Sequence, residues 1–307
     1  MSEQSMKSKL SGRRAAGSNL SAVNRTTFRQ LWAQYRKNPF SLILRLLVTL
    51  AALITVAVLL FLVAYILIKG VPNLRPSLFA LEYNSENASL FPALINTVIM
   101  TLLSLLAAVP VGIFSAIYLV EYARRGNRLV GAVRVTAETL SGIPSIVYGL
   151  FGFLFFGVSL GWGYSMLGGA LTMAVMILPL IMRTTEEALM SVPDSFREGS
   201  FGLGAGKLRT VFRIILPSAM PGILSGVILG VGRIVGETAA LIFTSGTVTK
   251  IAVNPMTSGR TLAVHMYNLL NEGLGREAAY ATAVVLLVLV VGINALSSFV
   301  ARKFTKS

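Results

Sequence analysis

The chain has 307 residues, of which 54% are hydrophobic and 13% are charged, and its mean hydropathy is +0.74. Soluble domains average about 25% charged residues. The composition therefore excludes an ordinary soluble enzyme and makes membrane-spanning segments the unit of organisation. The sequence contains no cysteine, one histidine, His265, and one aspartate, Asp194. Disulfide frameworks, thiolate or histidine-cluster metal sites, cysteine nucleophiles and catalytic aspartate pairs are excluded as well.

Six apolar stretches are long enough to cross a bilayer, for which about 20 residues are needed. The first contains 23 residues, Leu46 to Ile68, and no cleavage motif follows it, so we expect a retained helix and not a signal peptide. The other five predicted spans are residues 93–120, 139–160, 164–182, 221–244 and 280–301. The predicted fold is an all-α polytopic membrane protein with six transmembrane helices.

Lysine and arginine are distributed unevenly around these spans. With the amino terminus inside, 21 of the 27 basic residues lie in inner segments and 5 lie in outer loops. Because cytoplasmic segments carry the excess of basic residues, the pattern predicts that both termini are cytoplasmic. The same asymmetry accounts for the net charge of +15 without nucleic-acid binding.

This topology divides the chain into four regions. The first contains an amphipathic segment, residues 27–37, which is typical of a helix lying in the membrane interface, with a soluble linker helix as the alternative. The predicted regions are a cytoplasmic tail at 1–40, the first transmembrane helix and outer loop at 41–92, a transmembrane core at 93–301 that includes a cytoplasmic loop at 183–217, and a tail at 302–307.

Two glycine-rich stretches resemble nucleotide-binding motifs, but neither is complete. Residues 202–207 lack both the first glycine of a Walker A loop, where Phe201 stands, and the following Ser or Thr, where Leu208 stands. Residues 230–236 place Val235 at the third glycine of a dinucleotide fingerprint. We therefore predict that any ATP used in the protein's work is bound by another chain.

The cytoplasmic loop is too long and too patterned for a simple turn. It reads as a short helix, a glycine turn and a second amphipathic segment. One interpretation is an ordinary loop that covers the cytoplasmic face. The other is a docking surface whose small-residue helix lies in the groove of a soluble partner.

The spacing of Glu198, Gly204 and the Ile214-x-Leu216-Pro217 segment resembles the EAA loop of membrane permease subunits in bacterial ABC importers. Gly199 and Ser200 replace the usual pair of alanines. The resemblance implies a type I importer permease fold, and a short helix that inserts into an ATP-hydrolysing subunit. The residues that it assigns to this coupling are Arg197, Glu198, Gly199, Ser200, Gly204, Ala205, Leu216 and Pro217.

Four further stretches, residues 108–123, 141–150, 232–239 and 261–267, are similar to the phosphate-specific branch of that family, and to its A-type more than its C-type subunit. The resemblance implies half of the translocation path of a phosphate importer and no catalytic site. It implies as partners a second permease subunit (PstC-like), an ATPase homodimer (PstB-like) that holds ATP and Mg²⁺, and an extracytoplasmic phosphate-binding protein (PstS-like). Alternatives are a permease for molybdate or sulfate, and an ATPase-independent channel or scaffold.

Arg233 is the one basic residue inside a predicted span. It lies 12 residues beyond Pro221, or roughly 18 Å deep, and Glu237 follows one helical turn later. A charge at that depth needs a partner or a water-filled cavity. The pair is interpreted either as a structural ion pair or as part of a substrate path, in which a planar guanidinium suits phosphate oxygens. The predicted path residues are Arg233, Glu237, Thr238 and Glu138.

The start of the third span contains a second charged pair and a helix breaker. Glu138 follows Arg134 by one turn, which favours a salt bridge at the interface over a role in an inner gate. Ser141, Gly142 and Pro144 interrupt backbone hydrogen bonding, and they mark either a broken helix beside the path or an inert kink.

Polar residues also recur on the second span and beyond the fifth. Asn96, Thr97, Thr101 and Ser104 follow helical spacing, which indicates hydrogen bonds between helices or hydroxyl groups along a path. His265, with Ser245 and Thr247 upstream, leaves a serine hydrolase as a remote alternative. We expect instead that His265 is an interfacial polar side chain.

Overall fold

The computed structural model describes residues 39–305 except 125, 272 and 274, so the predicted helix at 27–37 lies outside the described residues. All regular secondary structure in this part of the chain is helical. The chain divides into a unit that ends at Ala64 and a unit that begins at Tyr65. Within the first unit, helix α1 (Pro39–Gly70) exposes every described side chain up to Ala64. An all-round apolar, exposed helix of this length is typical of a transmembrane span that faces lipid.

The second unit contains the end of α1 and ten further helices. Short 3₁₀ and π turns join or extend several of them, at residues 71–73, 76–79, 118–122, 153–159 and 211–215. The helices are α2 (Phe91–Ile117), α3 (Arg128–Ser141), α4 (Ser145–Gly152), α5 (Met166–Met190), α6 (Asp194–Gly202), α7 (Lys207–Thr210), α8 (Leu216–Val235), α9 (Ala239–Thr244), α10 (Leu262–Asn271) and α11 (Arg276–Thr305).

Five continuous helical segments of the described chain are long and apolar enough to cross a membrane, at 40–73, 91–122, 166–190, 207–235 and 276–296. The pair formed by α3 and the segment 145–159 meets the same criteria together, but the two parts are bent by 103°. Five of the six predicted spans are therefore continuous helices, and the bent pair brings the number to six when it is counted as one span. The third predicted span, at 139–160, corresponds to this pair, which begins earlier, at Arg128.

The fifth span also differs from its predicted bounds of 221–244. It begins at Lys207, because the amphipathic segment of the cytoplasmic loop runs through a π turn directly into α8. Pro217 has no N–H to donate to the preceding helical turn, and the wider π turn lies where that hydrogen bond is missing. The span ends at Val235, where Gly236 follows as the C-cap, and α9 is a separate helix.

Helix α5 lies at the centre of the second unit. Its most apolar stretch is 67% buried, compared with 33% or less for the other continuous spans of the described chain. Small residues allow this close packing: Gly112 of α2 lies against Ile181, and Gly226 of α8 lies against Thr184. A Cβ atom at Gly226 would overlap Thr184. Helices α2 and α8 therefore pack against α5 through glycines, at positions where a larger side chain does not fit.

The cysteine-free chain allows a direct test of the predicted topology by single-cysteine labelling. We expect cysteines at Ser85 and Val253 to react with an impermeant thiol reagent in intact cells, and cysteines at Ser195 and Leu203 to react only after permeabilisation. All four positions are exposed, so poor access within the protein does not limit the reaction. Labelling of Ser195→Cys from outside, at the rate found for Val253→Cys, contradicts the topology.

Candidate functional site

A cavity of about 600 Å³ lies between α3, α5 and the end of α8. Its volume is within the range of roughly 300–1,000 Å³ found for small-ligand sites. Apolar side chains, Met176 and Pro179 among them, form part of the wall. The charged residues that line the cavity are Arg134, Glu138, Arg183, Glu186, Glu187 and Arg233.

The packing register between α5 and α8 gives the level of Arg233. Gly222 lies against Ala188, and Gly226 lies against Thr184, so the two helices run antiparallel in step. The same register places Arg233 opposite Ile177, near the middle of α5. Ile177 is 13 residues from Met190, which corresponds to about 20 Å along the helix. The cavity therefore extends from the end of α5 at Met190 to an arginine opposite the middle of α5.

The expected shared helical face of Arg233 and Glu237 is absent. Helix α8 ends at Val235, so Glu237 does not continue its face, and no ion pair joins the two residues in the described chain. Glu237 Oε1 instead accepts a hydrogen bond of 3.0 Å from the backbone N–H of Ala240, which caps the start of α9. Neither Glu237 nor Thr238 lines the cavity, whereas Arg233 and Glu138 do.

The salt bridge expected between Arg134 and Glu138 is replaced by a longer-range one. Arg134 Nε lies 3.2 Å from Oε2 of Glu186, whose side chain is nearly buried, because α3 crosses α5 at this point. Glu138 has no ion pair among the described residues. Glu186 Oε1 makes no hydrogen bond within the described chain, so a single contact holds this pair.

Arg183 and Glu187 form a further, exposed ion pair of 3.1 Å on α5. Arg134, Arg183, Glu186 and Glu187 line the cavity although no path role was predicted for them. The feature of the sequence that could have indicated the last three of these residues is the cluster of charged residues that follows the apolar stretch 164–182. Three arginines and three glutamates line this cavity. Of their two ion pairs, Arg134–Glu186 joins separate helices and Arg183–Glu187 lies within one helix.

The helix breaker at Ser141–Pro144 is part of the cavity wall. Helix α3 ends at Ser141, α4 begins at Ser145, and Ser141 itself lines the cavity. The helix is therefore broken here and borders the cavity, and its position beside a substrate path stays a prediction. Tyr148 Oη donates a 2.8 Å hydrogen bond to the carbonyl of Leu140, which also accepts from the N–H of Ile143 at 3.1 Å. Irregular backbone at membrane depth is stable where it is buried or lines a cavity.

The polar residues of α2 are satisfied by hydrogen bonds and do not line the cavity. Asn96 donates to the carbonyls of Lys250 and Arg260, and the N–H of Leu262 donates to Thr97 Oγ1. Thr101 and Ser104 donate to carbonyl groups one turn earlier in α2. Among the described residues, the hydrogen bond predicted between helices is found at Thr97, which accepts from the first residue of α10. Asn96 fastens the outer segment 250–262 to α2, and Thr101 and Ser104 bond within α2 itself.

His265 is fully buried in α10, which lies between the fifth and sixth spans, and its interfacial position stays a prediction. Burial and the positive charge of Arg260 lower the pKa of His265 to about 3. The ring packs edge-on against Tyr83, and Arg260 lies over the Tyr83 ring at 4.5 Å. Ser245 donates its hydroxyl proton to the carbonyl of Gly259 and not to His265. The geometry gives no support to a serine hydrolase.

The cytoplasmic loop contains α6, a glycine turn and α7. Gly204 has a φ of +81°, a conformation that side chains with a Cβ disfavour, and it closes the turn. Ser200 Oγ and Thr210 Oγ1 are 2.8 Å apart and join the two arms. Leu203, next to Gly204, is 90% exposed, and Phe196 and Phe201 in α6 are half-exposed. The loop is therefore a closed unit with an apolar outer surface.

The eight residues assigned to coupling divide into two groups. Ser200 is buried, and Arg197, Ala205 and Leu216 are partly buried. The exposed members are Glu198, Gly199, Gly204 and Pro217. A Cβ at Gly199 would meet open space, so the loss of the usual alanine leaves no gap inside the protein.

A family model described as "Binding-protein-dependent transport system inner membrane component" matches residues 108–306. The chain belongs to this family. The matched range, which is more than half of the chain, contains the broken helix, the cavity and the cytoplasmic loop. The protein is thus a multi-pass inner-membrane permease subunit of an ABC importer.

Individual relatives agree with this assignment. The chain is 36% identical to "Probable ABC transporter permease protein YqgI" of Bacillus subtilis over 75% of this chain and 83% of the relative. It is 36% identical to "Phosphate transport system permease protein PstA 1" of Mycobacterium tuberculosis over 69% of this chain and 70% of the relative. It is 35% identical to "Phosphate transport system permease protein PstA" of Pasteurella multocida over 74% and 81%.

Solved structures share the fold. A bacterial alginate ABC transporter matches with a TM-score of 0.65 and 18% identity, covering 91% of this chain and 99% of that chain. The MetNI methionine ABC transporter matches with a TM-score of 0.56 and 20% identity, covering 70% and 94%. Permeases of this family work together with an ATPase and a substrate-binding protein.

Proposed function

We propose that this chain is the A-type permease subunit of an ATP-driven phosphate importer and forms half of its translocation path. The observation that carries the proposal is the identity of about a third with several PstA proteins over most of the chain. The arginine-lined cavity supports it chemically. Guanidinium groups bind tetrahedral oxyanions through paired N–H donors, and they stay charged at all physiological pH values.

The cavity is better suited to the passage of an anion than to its tight binding. Arg233 lies at the end of the cavity that is farthest from Met190, and it has no carboxylate partner among the described residues. Arg134 and Arg183, by contrast, are each held by a glutamate. An entering anion can compete for Arg134, because only one contact fixes that side chain and about half of it is exposed. A path must bind its ion well enough for entry and weakly enough for release.

The carboxylates favour phosphate over the alternative oxyanions. Hydrogen phosphate keeps at least one proton near neutral pH, so it can donate a hydrogen bond to an exposed carboxylate such as Glu138 or Glu187. Sulfate and molybdate are fully deprotonated there, and the same carboxylates repel them. A mixed lining of arginine and glutamate is consistent with an ion that both accepts and donates hydrogen bonds.

The cytoplasmic loop is proposed to couple this path to the ATPase. Its exposed surface around Glu198 and Leu203 would dock in a groove of a PstB-like ATPase homodimer, on which ATP and Mg²⁺ are bound. A PstC-like permease would complete the path, and a PstS-like binding protein would deliver phosphate from outside. No cofactor is assigned to this chain.

The proposal is tested by uptake in cells that lack other phosphate importers. Production of this chain with its three partners should restore uptake of radioactive phosphate, and a hundredfold excess of sulfate or molybdate should not compete. A tagged form of the chain should retain the ATPase during purification. Strong competition by sulfate supports the other-oxyanion alternative, and uptake without any bound ATPase supports a channel.

A further inference from the structure

Arg197 is turned into the protein and away from the outer surface of the cytoplasmic loop. Its side chain is 17% exposed, and Glu121 at the end of the second span is 9% exposed. The Arg197 Nη2 and Nε atoms both donate to Glu121 Oε1, at 2.7 and 3.2 Å. The contact joins residues that are 76 positions apart in the chain.

Three further hydrogen bonds fix the same guanidinium. Arg197 Nη2 donates to the carbonyl of Leu189 at 3.0 Å, and Nη1 donates to the carbonyl of Val192 at 2.9 Å and to Asp194 Oδ1 at 3.1 Å. One side chain therefore binds the second span, the end of α5 and the start of α6. A lysine has a single nitrogen and cannot reproduce these directions.

The other arm of the loop reaches the adjacent residue of the second span. The Lys207 ammonium lies 5.0 Å from the centre of the Tyr122 ring, within the range of a cation–π interaction. The hydrogen bond between Ser200 and Thr210 joins the two arms. The loop is thus a closed unit that is attached on both sides to the dipeptide Glu121–Tyr122.

Glu121 and Tyr122 lie in the π turn at residues 118–122, which ends the second span. π turns occur mostly as single turns within α-helices, and they are frequent at functional sites. A displacement of the loop is carried to this turn by the buried Arg197 contacts. Helix α2 continues from there to the packed face of α5, where Gly112 lies against Ile181.

We propose that Arg197 and the dipeptide Glu121–Tyr122 form the mechanical joint that transmits movement of the cytoplasmic loop to the second span. Arg197 is a positioning residue in this proposal and does not contact the ATPase. The proposal rests on the proposed coupling function of the loop. It predicts that binding of the ATPase and transmission of its movement are separable, because Arg197 is mostly buried, whereas the proposed docking residues Glu198 and Leu203 are exposed.

The test compares joint variants with a surface variant in the full complex reconstituted with its ATPase and binding protein. The variants Arg197→Lys, Glu121→Gln and Lys207→Ala should retain the ATPase to within twofold during purification. Arg197→Lys and Glu121→Gln should lower the number of phosphate ions transported per ATP at least tenfold, and Lys207→Ala should lower it about twofold to threefold. Arg128→Lys, at an exposed arginine of α3, is the matched control and should leave the ratio unchanged.

Two results overturn the joint. One is an unchanged transport ratio in Arg197→Lys and Glu121→Gln. The other is loss of the ATPase from these variants, which would place Arg197 in the docking surface. If Arg197→Lys and Glu121→Gln both fail to assemble, Lys207→Ala, at an exposed residue, provides the test. An unchanged number of phosphate ions transported per ATP in this variant then overturns the joint. The surface variant Leu203→Glu tests the docking function separately, since retention of the ATPase by this variant contradicts the proposed docking surface and leaves the joint measurements valid.

Discussion

Replacing Arg233 with lysine is expected to lower phosphate uptake at least tenfold without lowering the amount of assembled subunit in the membrane. Lysine keeps the positive charge at mid-helix depth but loses the paired donors that match two phosphate oxygens. A hydrogen bond to a charged group contributes about 1.5–3 kcal/mol. Since about 1.4 kcal/mol corresponds to a factor of ten, the loss of one such bond gives the expected decrease.

The matched control is Arg75→Lys, which changes an exposed arginine that pairs with Glu277 outside the cavity. This variant should transport at the normal rate. The measurement is initial uptake of radioactive phosphate, with the subunit quantified in the same membranes. If Arg233→Lys is present in a normal amount and takes up phosphate at the normal rate, the paired donors of the Arg233 guanidinium do not act in the substrate path.

Glu237 separates the two interpretations of the charged pair. Because its Oε1 accepts from the N–H of Ala240, Glu237→Gln preserves the acceptor and should keep both assembly and uptake. Glu237→Ala removes the cap and should destabilise the subunit by about 0.5–2 kcal/mol, as helix-cap losses do. A tenfold fall in uptake by a normally assembled Glu237→Gln variant would return this carboxylate to the substrate path.

Replacing Gly204 with leucine is expected to reduce ATPase retention more than tenfold and to abolish ATP-driven uptake. The residue has a φ of +81°, where a non-glycine residue costs roughly 1–2 kcal/mol, and the added side chain projects from the exposed surface of the loop. Insertion of this surface into a close-fitting groove leaves no room for the new side chain. The measurement is the ATPase that co-purifies with the tagged subunit.

Gly126→Leu provides a control that isolates backbone strain. Gly126 has a φ of +83°, and a Cβ there also meets open space, but the residue lies between α2 and α3, outside the cytoplasmic loop. The two variants therefore carry the same conformational penalty, and they differ in position. Equal loss of the ATPase in both would attribute the effect to strain and contradict docking at Gly204.

The sequence was sufficient to predict that five segments are long apolar helices, because a run of about 20 apolar residues has few stable alternatives in a bilayer. It also indicated a distortion of the backbone at Ser141–Pro144, since proline and glycine act on the local backbone, but it did not decide between a broken helix and an inert kink. The end of the fifth span was placed too late because Thr244 still lies in an apolar stretch. The hydropathy of that stretch does not reveal that Gly236 ends α8.

The partners of the charged residues could not be predicted in the same way. Arg134 pairs with Glu186 and not with Glu138 one turn away, and Arg197 pairs with Glu121. These contacts depend on how α3 and α6 cross other helices, which is a tertiary property. Helical spacing provides a partner only within one helix, and for Arg233 that partner was lost because the helix ends before Glu237.

The most direct measurement is phosphate accumulation in proteoliposomes that contain this chain with its second permease, ATPase and binding protein. With ATP supplied on the ATPase side, we predict accumulation of radioactive phosphate against its gradient, no accumulation of sulfate, and loss of phosphate accumulation in the Arg233→Lys complex. Accumulation of sulfate at a rate equal to that of phosphate, or phosphate movement that continues unchanged without ATP, would contradict the account.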